Sequence, residues 1–453
     1  MTTDSEMPTG TTPAIETGTV PVLLGSRGVS RSDVLGVARG RRSVGLDDEA
    51  RQAIEAASLI VEELAAAETP VYGVSTGFGS LANTHIAADR RAELQRALIR
   101  SHAAGMGPLV EDEVVRAMMF LRARTLSMGY SGVRPIVVDT MLALLNAGIT
   151  PPVHEHGSLG ASGDLAPLAH VALALIGEGP TAEATAAAGI APVELRAKEG
   201  LALINGTDGM LGMLVMAIDD LERLVKVADI TAAMSVEGLM GTDRAYAADI
   251  MALRPHPGQI VSAANLRRVL AGSPIVASHR FGDDRVQDAY SLRCTPQVHG
   301  ALRDTIAHAT RVAEIELVSA IDNPTVLPDG RVESCGHFLG APIAAVCDFL
   351  AISIADVAAL AERRTDRLLD RTRSHGLPPF LTERPEEAGV NSGMMIAHYT
   401  QAAMVAETRR LAVPASADTI PTSAMQEDHV SMGWGAARKL RLTVTNLARV
   451  LAV

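Results

Sequence analysis

The sequence predicts an all-α protein built around a central bundle of long helices, with a smaller mixed region at its N-terminal end. Aromatic residues make up only 3% of the chain while hydrophobic residues make up 47%, so aliphatic side chains and Met must fill most of the core. Such a composition suits closely packed helices better than a sheet, which favours aromatic and β-branched residues. Helical periodicity also runs well beyond the ordinary helix length of about 11–12 residues.

Apolar residues recur at helical spacing in ten segments, and loops that carry Gly and Pro separate them. The predicted helices cover residues 46–67, 90–106, 111–127, 134–146, 165–176, 210–237, 297–320, 341–371, 392–411 and 431–452. Strand signals are short and few, and residues 334–338 are one example. Long helices joined by loops of this kind indicate a bundle.

The chain divides into three predicted regions. Residues 1–19 are polar and rich in Thr and Gly, without a basic start and an apolar run, so we expect a disordered extension rather than a signal peptide. Residues 20–205 are predicted to form an N-terminal domain, and residues 206–453 the long-helix bundle. The last helix is still apolar where the sequence stops, which predicts a missing C-terminal segment or burial against a partner.

Charge and cysteine content exclude several classes of protein. The net charge of -12 argues against nucleic-acid and anionic-membrane partners, because phosphate binding relies on clustered positive charge. Three cysteines without metal-type spacing indicate a reducing compartment and no structural zinc. No uninterrupted apolar segment looks long enough to span a bilayer. We therefore expect a cytoplasmic protein with no metal and no membrane partner.

The most informative segment is residues 157–167, which contains Ala161-Ser162-Gly163. If the amide nitrogen of Gly163 attacks the carbonyl of Ala161 and two waters are lost, one of them from the Ser162 side chain, the product is a methylidene-imidazolone ring. Such a ring is an electrophile, which no standard side chain supplies well. Asp164 is a suitable N-cap for the helix that follows. The alternative is a flexible loop before a capped helix; Ala-Ser-Gly alone favours that alternative, but the eleven residues together do not.

Five further polar segments are candidates for a site. Tyr72 lies in a Gly-punctuated loop whose glycines lack the Lys and the spacing of a nucleotide cradle. Arg293 suits a substrate carboxylate, because a guanidinium forms two parallel hydrogen bonds with it. Each segment alone has a structural alternative, such as a packed Tyr, a helix His, a turn-capping Asn or acidic residues that favour a helix dipole. The segments are 71–79, 101–105, 204–209, 286–294 and 425–429.

Together these motifs resemble the family of aromatic amino-acid ammonia-lyases that carry a self-made methylidene-imidazolone. The resemblance runs from about Val22 to the last residue. It implies a central bundle like that of the fumarase and aspartase superfamily, and a homotetramer whose active sites combine residues of three subunits. It also implies a 4-methylidene-imidazol-5-one formed from Ala161, Ser162 and Gly163, with no pyridoxal phosphate and no nucleotide.

The resemblance also assigns roles to individual residues. Tyr72 would be the catalytic base and Tyr290 the second essential hydroxyl, although the sequence leaves open which of the two takes the proton. We predict that neighbouring dipoles and the loop that carries Ala161-Ser162-Gly163 activate Tyr72. Arg293 would bind the substrate carboxylate. The remaining residues of the substrate site would be His102, Asn205, Gln287, Phe338 and Glu427.

His102 and Glu427 favour histidine as the substrate, because a carboxylate suits an imidazole better than a plain phenyl ring. A lyase or aminomutase for tyrosine or phenylalanine is the runner-up, and a catalytically silent homologue is the alternative from another class. A pyridoxal-phosphate lyase is disfavoured because none of the three lysines lies in a convincing site. A serine hydrolase is disfavoured because Ser162 lacks the Gly-x-Ser-x-Gly elbow.

Two departures from the family pattern affect these expectations. The family usually reads Gly-Asn-Phe-His-Gly around Phe338, whereas His337 and Leu339 flank it here. This exchange leaves three consequences open: a repacked pocket wall, a changed substrate preference or impaired activity. The resembling enzymes also usually continue beyond the position of Val453, so a truncated chain with a weakened tetramer is a further expectation.

Overall fold

The computed structural model describes residues 20–67, 70–283, 285–384, 386 and 389–453. The disordered extension predicted for residues 1–19 lies outside the described residues. Within them the architecture is dominated by helices, with three small two-stranded sheets. The predicted all-α class is therefore confirmed.

The N-terminal half alternates short strands, helices and loops, and one further pair of strands lies within residues 325–333. β1 and β2 pair in parallel, whereas β3 pairs with β4 and β5 pairs with β6 in antiparallel fashion. The strands are β1 (Val22–Leu24), β2 (Val44–Leu46), β3 (Met106–Leu109), β4 (His154–His156), β5 (Thr325–Val326) and β6 (Val332–Glu333). The helices of this half are α1 (Arg31–Ala38), α2 (Asp48–Ala66), α3 (Arg91–His102), α4 (Asp112–Ser127), α5 (Pro135–Asn146), α6 (Leu165–Leu175), α7 (Ala182–Ala187) and α8 (Glu199–Ile204).

The remaining helices include the long ones of the predicted bundle and several short ones. They are α9 (Asp208–Gly238), α10 (Ala248–Ala252), α11 (Pro257–Val269), α12 (Pro274–Ser278), α13 (Tyr290–Arg293), α14 (Thr295–Glu316), α15 (Ala341–Leu369), α16 (Met395–Leu411) and α17 (Gly433–Ala452). α9 and α15 pack against each other and against both α14 and α17, and α16 covers α15 and α17. The largest cluster of buried side chains runs from Val22 to Leu451. Its side chains come from residues both before and after position 205. The domain boundary at that position stays a prediction.

Two local predictions were wrong. The helix predicted over 90–106 ends at His102, and Met106 begins β3 instead. Gly105 donates its backbone N–H to His170 Nε2 at 3.1 Å, and a Cβ on Gly105 would approach the same atom within 3.0 Å. The strand predicted over 334–338 is also absent from its place, because β6 has already ended at Glu333 and a turn with Leu339 N–H donating to Gly336 O follows.

The expectation that no segment is long enough to span a bilayer was also wrong. By length and composition alone, Glu199–Gly238 and Ala341–Leu369 are both long and apolar enough. The apolar window of the first is 100% buried inside the structure, and that of the second is 56% buried. Core helices pass the same test, so these two stretches are weak evidence for a membrane.

Candidate active site

A cavity of about 350 Å³ lies beside the last turns of α3 and α8 and the first turn of α6. Loop segments around Tyr72 and Glu427 complete its wall. Seven of the predicted site residues line it together, although they come from distant parts of the sequence. They are Tyr72, His102, Ala161, Ser162, Gly163, Asn205 and Glu427.

The backbone of the 161–163 triplet is sharply turned. Ala161 and Gly163 pair with each other across Ser162 as an antiparallel bridge. Gly163 has a φ of +72°, and a Cβ at this position would lie 2.2 Å from the carbonyl oxygen of Gly206. A side chain is therefore excluded on both conformational and steric grounds. The triplet accordingly has the close approach and small residues that ring closure between residues 161 and 163 requires.

A distant segment of the chain holds the start of this loop. Ser431 Oγ donates to the carbonyl oxygen of Gly160 at 2.7 Å, and the backbone N–H of Met432 donates to Leu159 O at 2.8 Å. Gly160 has a φ of +64°, and a Cβ there would lie 2.3 Å from Ser431 Oγ. The residues that lead into α17 therefore fix the approach to the triplet.

Asp164 occupies the N-cap position of α6, but its side chain does not cap that helix. Its Oδ2 accepts the backbone N–H groups of Gly209 and Met210 at 2.9 and 3.0 Å, so it caps the long helix α9 instead. Oδ1 accepts Ser158 Oγ at 2.9 Å. The capping role predicted within α6 was therefore wrong. Asp164 directly follows the triplet, and its hydrogen bonds fix it to the N-terminus of α9, which is the positive end of that helix.

The groups around Tyr72 in its own chain raise the pKa of its hydroxyl. Burial raises the pKa of the Tyr72 phenol, and the negative charge of Glu427 raises it further. The backbone N–H of Gly79 donates to Tyr72 Oη at 3.4 Å and lowers the pKa, but the other two effects are larger in sum. The activation of Tyr72 by neighbouring dipoles and by the loop that carries Ala161-Ser162-Gly163 stays a prediction. The hydroxyl is protonated at neutral pH.

His102 is the last residue of α3 and presents one ring nitrogen to the cavity. Its Nδ1 lies 2.9 Å from the carbonyl oxygen of Leu98, which can only accept, so Nδ1 carries the proton. Burial lowers the pKa of His102, although Leu98 and the charge of Glu427 act in the opposite direction. The ring is therefore neutral near pH 7, with Nε2 as an acceptor.

Glu427 lies across the cavity at the end of an unusual turn. Its Oε2 is buried, and no hydrogen-bond partner for that atom lies among the described residues. Three consecutive residues before it, Ser423, Ala424 and Met425, have positive φ values of 49°, 52° and 71°. Left-handed backbone is costly for residues other than Gly. The turn therefore stores strain while it presents an unpaired carboxylate oxygen at the cavity.

Comparison with known proteins gives the family of this chain. The sequence profile of the aromatic amino acid lyase family matches residues 29–453. The chain belongs to the aromatic amino acid lyase family. A histidine ammonia-lyase of Streptomyces coelicolor is 64% identical over 95% of this chain and 86% of its own length.

Solved structures agree with that assignment. A tyrosine aminomutase of Streptomyces globisporus matches with a TM-score of 0.89 at 39% identity, over 96% of this lyase and 86% of that chain. A histidine ammonia-lyase of Trypanosoma cruzi matches with a TM-score of 0.86 at 38% identity, over 96% of this lyase and 83% of that chain. The enzyme is thus an ammonia-lyase by family.

Four predicted site residues of this lyase do not line the cavity. Tyr290 is 70% exposed, and the guanidinium of Arg293 lies over its ring at 4.6 Å from the ring centre. Gln287 is also exposed, in the loop before α13. Phe338 lies in the turn before α15. A single chain therefore brings together only part of the predicted site.

The exchanged residues His337 and Leu339 lie away from the candidate site. Both line a separate cavity of about 540 Å³, together with Tyr130 and Pro342. Within one chain, the predicted change to the pocket wall therefore falls on a different cavity.

Sequence reasoning missed several residues that line or support the cavity. Asn323 lines it, and its carbonyl oxygen accepts Asn205 Nδ2 at 2.7 Å. Asp322 and Lys198 form an ion pair directly behind it. The sequence offered two signals, an Asp-Asn-Pro run in a loop and a Lys before an apolar helix. Neither signal by itself indicates a catalytic or binding role. Among the described residues, no group of three or more metal-ligating side chains is placed to hold a metal ion.

Proposed function

We propose that this aromatic amino acid lyase removes ammonia from L-histidine to give trans-urocanate, the first step of histidine degradation. The observation that carries the proposal is the meeting of His102 and Glu427 with the Ala161-Ser162-Gly163 loop in one cavity. His102 Nε2 and the Glu427 carboxylate both accept hydrogen bonds, so they suit the N–H donors of a histidine side chain, which a phenyl ring lacks. The 64% identity to a histidine ammonia-lyase supports the same substrate.

A 4-methylidene-imidazol-5-one formed from Ala161, Ser162 and Gly163 fits the loop. The backbones of Ala161 and Gly163 pair with each other, and Gly163 lies so close to Gly206 that no Cβ fits on it. When formed, the ring supplies an electrophile for the substrate amine. Leu165 and Ser158 also line the cavity around the triplet.

The elimination breaks the Cβ–H and Cα–N bonds of the substrate and forms a Cα=Cβ double bond. An ionised tyrosine oxygen takes the Cβ proton, and the electron pair of the Cβ–H bond forms the double bond. The nitrogen leaves with the electron pair of the Cα–N bond and gains the proton that the tyrosine took, so it departs as ammonia. Tyr72 is the candidate base from the cavity, with its hydroxyl beside Gly79. Holding the substrate Cβ against that oxygen supplies much of the rate, because orientation replaces a chance encounter.

The site is completed by other subunits of a homotetramer. Gln287, Tyr290 and Arg293 lie outside the cavity of their own chain, and Tyr290 and Gln287 are exposed. Arg293 would bind the substrate carboxylate, Tyr290 would supply the second hydroxyl and Phe338 a wall. We place the enzyme in the cytoplasm, without a nucleic-acid or membrane partner, because of its charge of -12 and its metabolic substrate.

The test is the near-ultraviolet absorbance of the purified protein mixed with L-histidine. A steady rise from conjugated urocanate, abolished in Ser162→Ala, is the expected result. No rise in folded, tetrameric protein would reject histidine as the substrate. Tyrosine and phenylalanine are then assayed with product analysis, because a mutase returns the nitrogen to the neighbouring carbon and a lyase releases it. A silent homologue would act on none of them.

A further inference from the structure

Lys198 and Asp322 form a buried ion pair behind the wall of the candidate active site. Lys198 is 0% exposed, and its Nζ donates to Asp322 Oδ2 and to the carbonyl oxygen of Ser131, each at 2.8 Å. Asp322 immediately precedes Asn323, which lines the cavity. Removing two charges from water is costly, and a buried ion pair is often no more stable than a packed apolar pair. Stability alone is therefore a weak reason for this one.

The other oxygen of Asp322 contacts a residue of the candidate site. Asn205 Nδ2 donates to Asp322 Oδ1 at 3.4 Å and to the carbonyl oxygen of Asn323 at 2.7 Å. An ionised carboxylate and a carbonyl can only accept hydrogen bonds. The opposite orientation of the Asn205 amide would place its oxygen against two acceptors. The two neighbours therefore determine which way the amide points.

This orientation leaves the oxygen of Asn205 for a ligand. Asn205 lines the cavity and is 2% exposed. In the part of the chain that the structure describes, its Oδ1 is buried without a hydrogen-bond partner. An unpaired buried acceptor is unfavourable, because it has lost its hydrogen bonds to water without replacing them. A ligand with an N–H donor would remove that cost.

We propose that Lys198 and Asp322 are positioning residues that hold the Asn205 oxygen toward the substrate amine. The inference rests on the proposed ammonia-lyase function and deepens it. Lys198 donates to Asp322 Oδ2, and the backbone N–H of Asn323 and the Asn205 amide donate to Oδ1, so Asp322 acts only as an acceptor here. A neutral amide or acid at position 322 can donate to Asn205 Oδ1, which allows the Asn205 amide to turn and its N–H₂ to face the substrate instead.

A double-mutant cycle between positions 322 and 205 tests the inference. Asp322→Asn is expected to lower kcat/KM for L-histidine by about 10–100-fold, the scale of a misplaced active-site contact. In an Asn205→Ala background the same substitution is expected to change kcat/KM less than about twofold, because the amide through which Asp322 acts is absent. Equal losses in both backgrounds would overturn the inference.

Folding effects are separated by two further variants. Asp322→Asn leaves Lys198 buried without its carboxylate, so Lys198→Met/Asp322→Asn removes both charges and is expected to recover thermal stability but not kcat/KM. Recovery of kcat/KM along with stability would show that the pair has only a structural role. Asp348→Asn is the matched control, since Asp348 is 1% exposed, bonds Lys439 and lies outside the cavity lining. It is expected to lower stability with unchanged kcat/KM.

The wild-type assay separates the two proposals. If the wild type produces urocanate and the cycle is additive, the positioning role is overturned and the lyase function stands. If the wild type acts on a different aromatic amino acid, the cycle is measured with that substrate and only the histidine assignment fails. If the wild type turns over no aromatic amino acid, both proposals are overturned.

Discussion

At the scale of single residues, the environment of each side chain determines which protonation state can act. Tyr72 is the clearest case, because burial and the charge of Glu427 both oppose formation of its phenolate. His102 is held as a neutral ring whose free nitrogen can accept a hydrogen bond. A base that is protonated at rest must lose its proton before the elimination begins. Turnover should therefore rise with pH through the neutral range.

The charge of Glu427 should be measurable in the titration of Tyr72. Replacing Glu427 with Gln removes a negative charge that raises the pKa of Tyr72, so the phenol is expected to ionise at lower pH than in the wild type. The measurement is the ultraviolet phenolate absorbance as a function of pH, with the same titration of the Tyr72→Phe form subtracted. A Tyr72 transition that stays in place, or moves to higher pH, would contradict the interaction.

The same tyrosine gives a kinetic prediction. Tyr72→Phe removes the hydroxyl and keeps the ring, so the cavity shape is preserved and kcat is expected to fall by about 10²–10⁴-fold, the usual contribution of a general base. Single-turnover kinetics with L-histidine measure the effect. Undiminished turnover would assign the proton to Tyr290 instead.

At the scale of elements, the main contacts of the site join the end of one element to the start of another far along the chain. Asp164 follows Ala161-Ser162-Gly163 and caps α9, and Ser431 precedes α17 and donates a hydrogen bond to the carbonyl oxygen of Gly160. The periodicity of each helix lies within its own residues, and it predicted α4, α5 and α9 to within a few residues. Contacts between distant segments have no such local signal. Asp164 therefore looked like a cap for its own helix.

The cap on α9 has a consequence for stability. Burial raises the pKa of Asp164 from 3.8 to about 7, so between those values the folded state binds more protons than the unfolded state. The free energy of unfolding contributed by this group is therefore largest below pH 3.8 and falls as pH rises toward 7. Asp164→Asn keeps an acceptor for α9 and abolishes this titration.

Asp164→Asn is accordingly expected to become more stable relative to the wild type as pH rises from 3.8 to about 7. The full change is on the order of 4 kcal/mol. Denaturant unfolding of both proteins at several pH values measures it. A difference that is independent of pH would show that Asp164 is ionised throughout.

The strained turn before Glu427 gives a second prediction about stability. Ala424 has a φ of 52°, which a glycine adopts without the penalty of a Cβ. Ala424→Gly is therefore expected to stabilise the folded enzyme by up to about 1 kcal/mol, offset in part by the greater freedom of Gly in the unfolded chain. Thermal unfolding measures this change, with Ala412→Gly at the end of α16 as a control in right-handed backbone. A loss of stability at 424 as large as at 412 would contradict the left-handed turn.

At the scale of the whole molecule, one chain forms the cavity but not the complete proposed site. The sequence motifs predicted both groups of residues alike, because a motif carries its residue types wherever they lie in the fold. Their separation became visible only when the chain was folded, with Tyr290 exposed and Tyr72 in the cavity. A closed symmetric assembly brings such surfaces of identical chains together.

Shared sites predict complementation between inactive variants. Tyr72→Phe damages the cavity, whereas Arg293→Ala damages the surface around α13, and each homotetramer is expected to lose most of its activity. When the two chains are co-expressed and mix at random, roughly a quarter of the sites combine an intact cavity from one chain with an intact α13 from another. Activity should therefore return to about a quarter of the wild-type value in the mixed tetramer. The variants purified separately and combined without subunit exchange are the control. Mixed tetramers as inactive as their parents would show that each chain supplies its own Arg293, and the proposed division of the site among subunits would then be wrong.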